Sequence, residues 1–580
     1  MPSLSTSPSA KRGESGHSEG TPAASCIGTT RQQSTPSKST ASTVCRSGWA
    51  GARRKYARAL FIGSEYAQTA PGRMVPVSHT EFSDPSFSFT LGKRLSETAK
   101  PSAERVAANG GEFRGRTGVI HTPHGDIKTP AFTPVGTKAT VKAVLPEAMK
   151  DLGSQALLSN AYHLYLQPGP DVLDAAGGLG KFMNWDGPTF TDSGGFQVMS
   201  LGSGFKKVID MGTVANAIGA DGRPLGDDDV ATGKERMAHV DDDGVFFKSH
   251  INGDIHRFTP EVSMQVQHKI GADVMFAFDE LTTLYNSRAY QEEALERTRL
   301  WALRCIAEHQ RLTEERSHKP YQALFGVIQG AQYEDLRRKA CQDLGDMPFD
   351  GFGLGGALEK ENLGTIVRWC AEELPENKPR HLLGISEPDD IFVGIENGVD
   401  TFDCVSPTRV ARNAAVYTPD GRFNLTNARY KTDFTPIFEG CDCYTCTHYT
   451  KAYIHHLFKA DERLSATLAS IHNERFIVKM VDDAREAIED GTYFEYRDEF
   501  LRRYYAKKEA QLKAQEEAQA RKAAKEAERA SAAQARWEAN AKAKAEAEAR
   551  RAAEAKAQAA NADSPKISEV TDQSENEASA

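Results

Sequence analysis

The sequence predicts an α/β protein with a (β/α)8 barrel, a TIM barrel, over residues 86–435 of its 580 residues. Two observations predict it. Eight short apolar runs alternate with helical patterns, and polar or glycine-rich residues follow five of these runs. Runs that are apolar throughout are typical of parallel strands covered on both faces. The alternative, an open doubly wound sheet, lacks a glycine-rich dinucleotide motif after its first strand.

The eight candidate strands are separated by helical stretches such as Gln291–Arg311 and Leu363–Glu373. In a barrel their carboxyl ends meet at one rim, which is where active sites are built. The strands are predicted at Pro130–Val135, Ala156–Leu164, Pro188–Asp192, Asp273–Phe278, Ala323–Ile328, Gly351–Leu354, His381–Ile385 and Thr401–Val405.

Two aspartates at this rim are candidates for catalysis. Asp192 precedes the turn Ser193-Gly194-Gly195, and Asp403 lies in an apolar strand, where partial desolvation would raise its basicity. Two such carboxylates can catalyse a displacement at an acetal-like carbon together, because one attacks the carbon while the other transfers protons. The alternative is that each aspartate caps a helix or pairs with an arginine.

Further residues at the strand ends fit a flat ligand. Asp279 and Gln329 offer the acceptors and donors that read the edge of a purine-like base. Gly355 and Gly356 would expose backbone groups to it. Taken alone these residues are a weak indication, since strand ends often carry Asp and Gly.

A cysteine cluster indicates a metal site. Cys441, Cys443, Cys446 and His472 follow the pattern C-x-C-x2-C-x25-H, which predicts a closed, tetrahedral structural Zn²⁺ site. The alternative is a set of free buried thiols with a core histidine. The isolated Cys305 and Cys404 are interpreted as packing residues, and the absence of a disulfide framework indicates a reducing compartment.

Charge and hydropathy limit the partners. The net charge is −9, so nucleic-acid contact requires a local basic patch. Arg409 and Arg412, just after Asp403, could hold phosphates, or they could belong to a solvated loop. No run approaches the roughly 18 consecutive apolar residues of a transmembrane helix, so no membrane partner is expected.

The remaining segments are predicted to be accessory. Residues 1–85 are expected to be a disordered, low-complexity extension, with an organellar transit peptide or a natural start at Met74 as alternatives. Residues 202–244 are interpreted as a loop with a hairpin turn, not a calcium loop. Residues 436–503 are expected to form a zinc-binding subdomain with closing helices, 504–562 an Ala/Lys/Glu-rich solvated helix and 563–580 a disordered acidic tail.

Together these motifs resemble bacterial tRNA-guanine transglycosylase, also called queuine tRNA-ribosyltransferase, over about residues 86–503. The resemblance is carried by Thr191 to Gln197, Phe278-Asp279-Glu280, Phe402 to Val405 with Pro407-Thr408-Arg409, and the cysteine–histidine set. It implies a cytoplasmic, homodimeric, zinc-containing barrel. Such an enzyme exchanges guanine at wobble position 34 of tRNAs with GUN anticodons (Asp, Asn, His, Tyr) for the 7-deazaguanine preQ1.

The resemblance also implies residue roles. Asp403 matches the nucleophile that forms a covalent enzyme–RNA intermediate, and Asp192 matches the general acid–base. The base-binding positions are Asp192, Ser193, Gly194, Gly195, Phe196, Asp279, Gln329 and Gly356. The RNA-binding positions are Gly384, Ile385, Ser386, Glu387, Pro388, Asp389, Asp390, Thr408, Arg409, Val410, Ala411 and Arg412.

Three departures from the bacterial family pattern bear on function. The loop Gly355 to Glu361 is shorter by about three residues than the family's Gly-Gly-Leu-Ala-Val-Gly-Glu segment, which bears on the choice of preQ1 or queuine. Glu387 stands where a lysine is common, and the 202–244 segment is longer than usual. The altered loop leaves a queuine-inserting salvage enzyme as one alternative. A non-catalytic tRNA-binding subunit and a hydrolytic N-glycosidase are two others, and the presence of both Asp192 and Asp403 argues against the non-catalytic subunit.

Overall fold

The computed structural model describes residues 84–197, 238–284, 286–356 and 358–562, with the side chains of 561 and 562 left out. Their centre is an eight-stranded parallel barrel in which the strands follow one another around the ring in chain order. A parallel bridge from Val135 to Leu158 joins the first strand to the second and closes it. The barrel strands are β4 (Ala131–Pro134), β5 (Leu157–Asn160), β6 (Thr189–Asp192), β10 (Val274–Phe276), β11 (Ala323–Ile328), β12 (Gly351–Leu354), β13 (Arg380–Leu382) and β14 (Thr401–Cys404).

Helices surround the barrel, and most of them bury apolar side chains. Those from the first half of the chain are Leu95–Thr98, Ala103–Ala108, Pro146–Asp151, Ala161–Leu166, Pro170–Ala175, Leu179–Met183 and Pro260–Ile270. Those that follow are Arg288–Glu315, Glu334–Gly345, Leu363–Glu373, Pro388–Glu396, Ser406–Arg412, Tyr444–His448, Lys451–Lys459, Leu464–Asp490 and Tyr493–Ala562.

A three-stranded antiparallel sheet lies at the start of the described chain: β1 (Ser88–Arg94), β2 (Arg116–Thr122) and β3 (Gly125–Thr129). Ile120 and Ile127 from this sheet share one buried cluster with Phe190, Phe276 and Phe325 of the barrel strands. The sheet therefore fills the amino-terminal end of the barrel and leaves the opposite rim for chemistry.

Other short strands decorate the barrel. A second antiparallel sheet is formed by β7 (Ala238–Asp241), β8 (Gly244–Lys248) and β9 (Ile255–Phe258). Its first hairpin turns at Asp241–Gly244, as the sequence predicts. The strands β15 (Ala415–Val416) and β16 (Phe423–Asn424) form a small hairpin.

Two boundaries predicted from the sequence differ from those in the structure. The candidate strand Ala156–Leu164 is too long, because Asn160 caps a helix from Ala161 to Leu166 by accepting from the His163 N–H. The helix Tyr493–Ala562 is continuous through residue 504, so the boundary proposed there falls within one helix. Residues 1–83 of the predicted amino-terminal extension, the predicted acidic tail and residues 202–237 lie outside the described residues. Among the described helices, none is long and apolar enough to cross a membrane.

Candidate active site and metal centre

Asp403 lies near the carboxyl end of β14, at the open rim, and is nearly buried. Its Oδ1 accepts hydrogen bonds from His381 Nε2 at 3.1 Å and from the Gly384 N–H at 2.9 Å. His381 is fully buried on β13, and its Nδ1 lies 2.8 Å from Thr401 Oγ1. Since both bonds fall on Oδ1, the carboxylate is held in one orientation with a second oxygen at the rim.

Asp192 is the last residue of β6, the barrel strand that follows β5. Its Oδ1 accepts from the Ala161 N–H at 2.9 Å, and its Oδ2 accepts from the Asn160 amide. Burial, opposed by these hydrogen bonds and reinforced by the charge of Asp403, raises the pKa of Asp192 to about 7. Asp192 therefore lies within electrostatic reach of Asp403 and can gain or lose a proton near neutral pH.

A second buried carboxylate organises the space between β6 and β11. Asp279 Oδ1 accepts from Ser193 Oγ at 3.1 Å, and its Oδ2 accepts from Gln329 Nε2 at 2.7 Å. Burial raises the pKa of Asp279 to about 6. A Cβ at Gly195 would lie 3.0 Å from the Asp279 carbonyl oxygen, so glycine permits this close approach. The structure thus brings together four of the predicted base-binding positions.

Ser193, Asp279 and Gln329 form one wall of the site, and Gly356, after β12, extends it. Its φ of +93° favours glycine, and a Cβ there would stand 2.5 Å from Gln329 Oε1. That oxygen is buried and has no hydrogen-bond partner among the described residues. The buried guanidinium of Arg337 donates to the Ile328 and Gly355 carbonyls and fixes the two strand ends. Gln329 Oε1 is therefore an acceptor free for a ligand.

The predicted RNA-binding segment after β13 carries acids that are already paired. Glu387 accepts from Arg422 at 2.9 Å. Asp389 and Asp390 share Lys360, at 2.8 Å and 3.3 Å. Lys360 belongs to the Gly355–Glu361 loop after β12, so that loop contacts this segment directly. Two cations therefore offset three acids, which reduces the repulsion that this segment would exert on a phosphate backbone.

The segment after Asp403 contributes to a basic surface. Within it Arg409 is exposed, whereas Thr408 and Ala411 are buried, so their side chains contribute by packing. Partial burial, followed by the charges of Arg412, Arg409 and Lys138, lowers the pKa of Lys142. These four cations therefore lie close together, although the two lysines come from the loop after β4. The sequence does not single out those lysines.

The predicted metal ligands converge. The ligand atoms of Cys441, Cys443, Cys446 and His472 all lie within 4.8 Å of one another. The three sulfurs lie 3.7, 3.6 and 3.3 Å from His472 Nδ1. A tetrahedral zinc with its usual bond lengths places sulfur and nitrogen ligands about 3.6 Å apart. His472 Nε2 lies 2.7 Å from the Tyr417 carbonyl, which keeps Nδ1 directed at the sulfurs. This group could hold a metal ion.

One residue links this cluster to the rim. Asn473, next to His472, donates to the carbonyls of Pro407 and Ala415 at 3.1 and 3.0 Å. It also accepts from the Tyr417 N–H at 3.1 Å. The helix that carries His472 therefore positions the segment that follows Asp403.

Three partners of the two aspartates were not predicted: His381, Asn160 and the Gly384 N–H. A register argument could have found His381, since β13 pairs with β14 and aligns His381 with Thr401, two residues before Asp403. No local sequence signal identifies Asn160 as the partner of Asp192.

Comparison with known proteins agrees with this geometry. The family model described as queuine tRNA-ribosyltransferase matches residues 112–223 and 206–506. A queuine tRNA-ribosyltransferase of Symbiobacterium thermophilum is 43% identical over 67% of this chain and 88% of its own. That of Thermoanaerobacter pseudethanolicus is 43% identical over 70% of this chain and 98% of its own. That of Fusobacterium nucleatum is 42% identical over 68% of this chain and 96% of its own.

Proposed function

Because the chain belongs to the bacterial queuine tRNA-ribosyltransferase family of pentosyltransferases, the tRNA-guanine transglycosylases, we propose that it replaces guanine 34 of GUN-anticodon tRNAs with preQ1. The observation that carries the proposal is the pair of rim aspartates, the buried Asp403 and the partly buried Asp192, whose charges interact. Two carboxylates with separate hydrogen-bond partners suit a double displacement.

In the proposed first half-reaction, Asp403 Oδ2 attacks C1′ of nucleotide 34. A C1′–O bond forms while the glycosidic C–N bond breaks, and Asp192 gives its proton to the departing guanine. In the second half-reaction, Asp192 takes the N9 proton of preQ1. That nitrogen then attacks C1′ and releases the Asp403 carboxylate. The pKa of Asp192, raised to about 7 by burial, supports both proton transfers.

We propose that the base lies against the wall formed by Ser193, Asp279, Gln329 and Gly356. Asp279 is held by two neutral donors and can accept from the exocyclic amine and ring N–H of a guanine-like base. The free Gln329 Oε1 offers a further acceptor. To reach this wall the target nucleotide must leave its stack, as single-stranded loop bases can.

We propose that the segment Gly384–Asp390 and the cations near Arg409 and Arg412 hold the anticodon loop. We further propose one structural Zn²⁺ per subunit at the cysteine–histidine cluster, because its spacing fits tetrahedral coordination. With four protein ligands the ion would have a structural role. None of the described cysteines is paired in a disulfide, which supports a cytoplasmic location that cell fractionation tests.

We propose that two copies associate through an exposed aromatic surface beside the metal cluster. Tyr449 stacks on Tyr453 at 5.5 Å, and Tyr444 stacks on His448 at 4.4 Å. Tyr444 and Tyr453 are 52% and 40% exposed, and exposed tyrosines are enriched at interfaces. Sedimentation equilibrium should give a mass near twice 63.5 kDa. The double variant Tyr449→Ala/Tyr453→Ala should sediment as the monomer, and an unchanged mass in that variant would place the interface elsewhere.

The proposed reaction is tested by base exchange. The zinc-loaded enzyme is given a GUN-anticodon tRNA carrying labelled guanine at position 34, then preQ1, queuine or no base. We expect preQ1 to release the label and to enter the tRNA in equal amount. Release by queuine alone would indicate a salvage enzyme with the pocket opened by the short loop. Release without added base would indicate hydrolysis, and no release with any base would indicate a non-catalytic tRNA-binding subunit.

A further inference from the structure

The carboxyl-terminal part of the helix Tyr493–Ala562 forms an arm beyond the family domain. The family model ends at residue 506, and every residue from 506 to 560 is exposed. These residues and the two that end the helix make an arm about 85 Å long at 1.5 Å per residue. We name residues 506–562 the arm.

The contacts of the same helix before residue 506 give the arm its direction. Arg497 pairs at 3.1 Å with Glu396, the last residue of the helix Pro388–Glu396. Eight residues later, Tyr505 donates to Asp389, near the start of that helix, at 2.7 Å. The two helices are therefore antiparallel. Since Pro388–Glu396 runs away from the rim after β13, the long helix runs toward the rim that carries Asp403, and the arm continues past it.

Charge is segregated around the arm. It carries 13 lysines and arginines and nine acidic residues. At about 100° per residue, ten of these cations fall within one sector of about 140°, together with only two of the acids. The remaining cations, Lys513, Lys542 and Lys556, lie on the opposite side among seven acids. The arm thus has one basic face and one acidic face.

The basic face continues the side of the helix that packs on the barrel. Tyr504 is buried, and Phe500 stacks on it and contacts Phe392. Lys522 lies about five full turns beyond Tyr504, and Arg536 lies about ten full turns beyond Phe500. Each cation is therefore on the same side of the helix as that aromatic residue. Beyond the rim, the cations therefore face the space above the barrel rim, and the acids face away from it.

We infer that the basic face of the arm binds the phosphate backbone of the tRNA body, outside the anticodon stem and loop. The inference rests on the proposed function, which places the anticodon loop at the rim and its stem in the space beyond. A straight row of cations suits a polyanion of regular spacing. A membrane surface fits less well, because Leu512 and Trp537 are the large apolar residues of the arm, whereas interfacial helices need an apolar face.

The test compares two full-length variants that each lose three positive charges. One carries Lys522→Gln, Arg529→Gln and Arg536→Gln on the basic face, and the other carries Lys513→Gln, Lys542→Gln and Lys556→Gln on the acidic face. Glutamine favours helix nearly as well as lysine and arginine, so the arm is retained. Affinity is measured by fluorescence anisotropy across a salt series, with a whole tRNA and with an anticodon stem–loop hairpin.

We expect the basic-face variant to bind the whole tRNA roughly five- to tenfold more weakly, with a salt slope shallower by about two to three. Its binding and base exchange on the hairpin should be unchanged, as should all properties of the acidic-face variant. Equal affinities, or an equal loss in both variants, would overturn the inference. So would unchanged tRNA binding with lost binding to phosphatidylserine vesicles. Failure of wild-type exchange on the hairpin would instead refute the proposed function, while the binding comparison still tests the arm.

Discussion

The variant Asp403→Asn is expected to form no covalent complex with tRNA and to lose exchange activity by on the order of 10⁴-fold or more. Asparagine has nearly the same shape and can still accept from His381 and Gly384, but its neutral amide is a poor nucleophile toward C1′. The measurement is a denaturing gel of enzyme mixed with labelled tRNA, together with the exchange rate. Binding of tRNA, measured by anisotropy, should change by less than about threefold.

The matched control is Asp279→Asn, which removes another buried carboxylate from the same rim. Because Asp279 contacts Ser193 and Gln329 and is assigned to the base, its variant should still form the covalent complex, at a reduced rate. A complex of normal yield in Asp403→Asn would reject this residue as the nucleophile. Absence of the complex in both variants would show only that the rim requires two charges.

The variant Cys443→Ala is expected to lose its metal and to destabilise the region after residue 435. Structural zinc in small peptide sites is bound by roughly 10–16 kcal/mol, and part of that free energy is folding free energy. We expect the free energy of unfolding to fall by on the order of 5 kcal/mol. Metal content by mass spectrometry and thermal unfolding measure the two effects. Exchange should fall as well, since Asn473 joins the metal-ligating helix to Pro407 and Ala415.

Cys341→Ala is the control for this substitution. Cys341 is a buried free cysteine outside the cluster, so its variant should keep a full complement of metal and lose only packing free energy, on the order of 1 kcal/mol. Full metal content in Cys443→Ala would reject the ligand set. Metal loss in both variants would trace the effect to general unfolding.

The barrel could be predicted because several of its strands are apolar runs with clear ends. Ala323–Ile328, Gly351–Leu354 and the helix Leu363–Glu373 are confirmed to the residue. The strand predicted at Ala156–Leu164 exists at Leu157–Asn160 but was extended too far, because the apolar composition of its second half suits a buried helix equally well and only Asn160 marks the change. The convergence of the four predicted metal ligands is also confirmed.

The hydrogen-bond and charge partners of the site residues could not be predicted from neighbouring residues in the sequence. In the sequence His381 is a polar residue in a short strand, with nothing that links it to Asp403. The strand register places the two side chains next to each other. Lys138 and Lys142 are more than 260 residues from Arg409 in the chain, and only the pairing of the last barrel strand, β14, with the first, β4, brings them together. Such pairings depend on the packing of distant segments, which hydrophobic periodicity does not encode.

The arm also changes how this protein moves through solution. The folded body of about 420 residues has an expected radius of gyration of about 22 Å, so a rod of about 85 Å is longer than the body is wide. Friction on that rod will slow diffusion and shift elution from a sizing column toward a larger apparent mass. A monomer can therefore elute like a compact dimer. Equilibrium sedimentation, which depends on mass and not on friction, separates the two states.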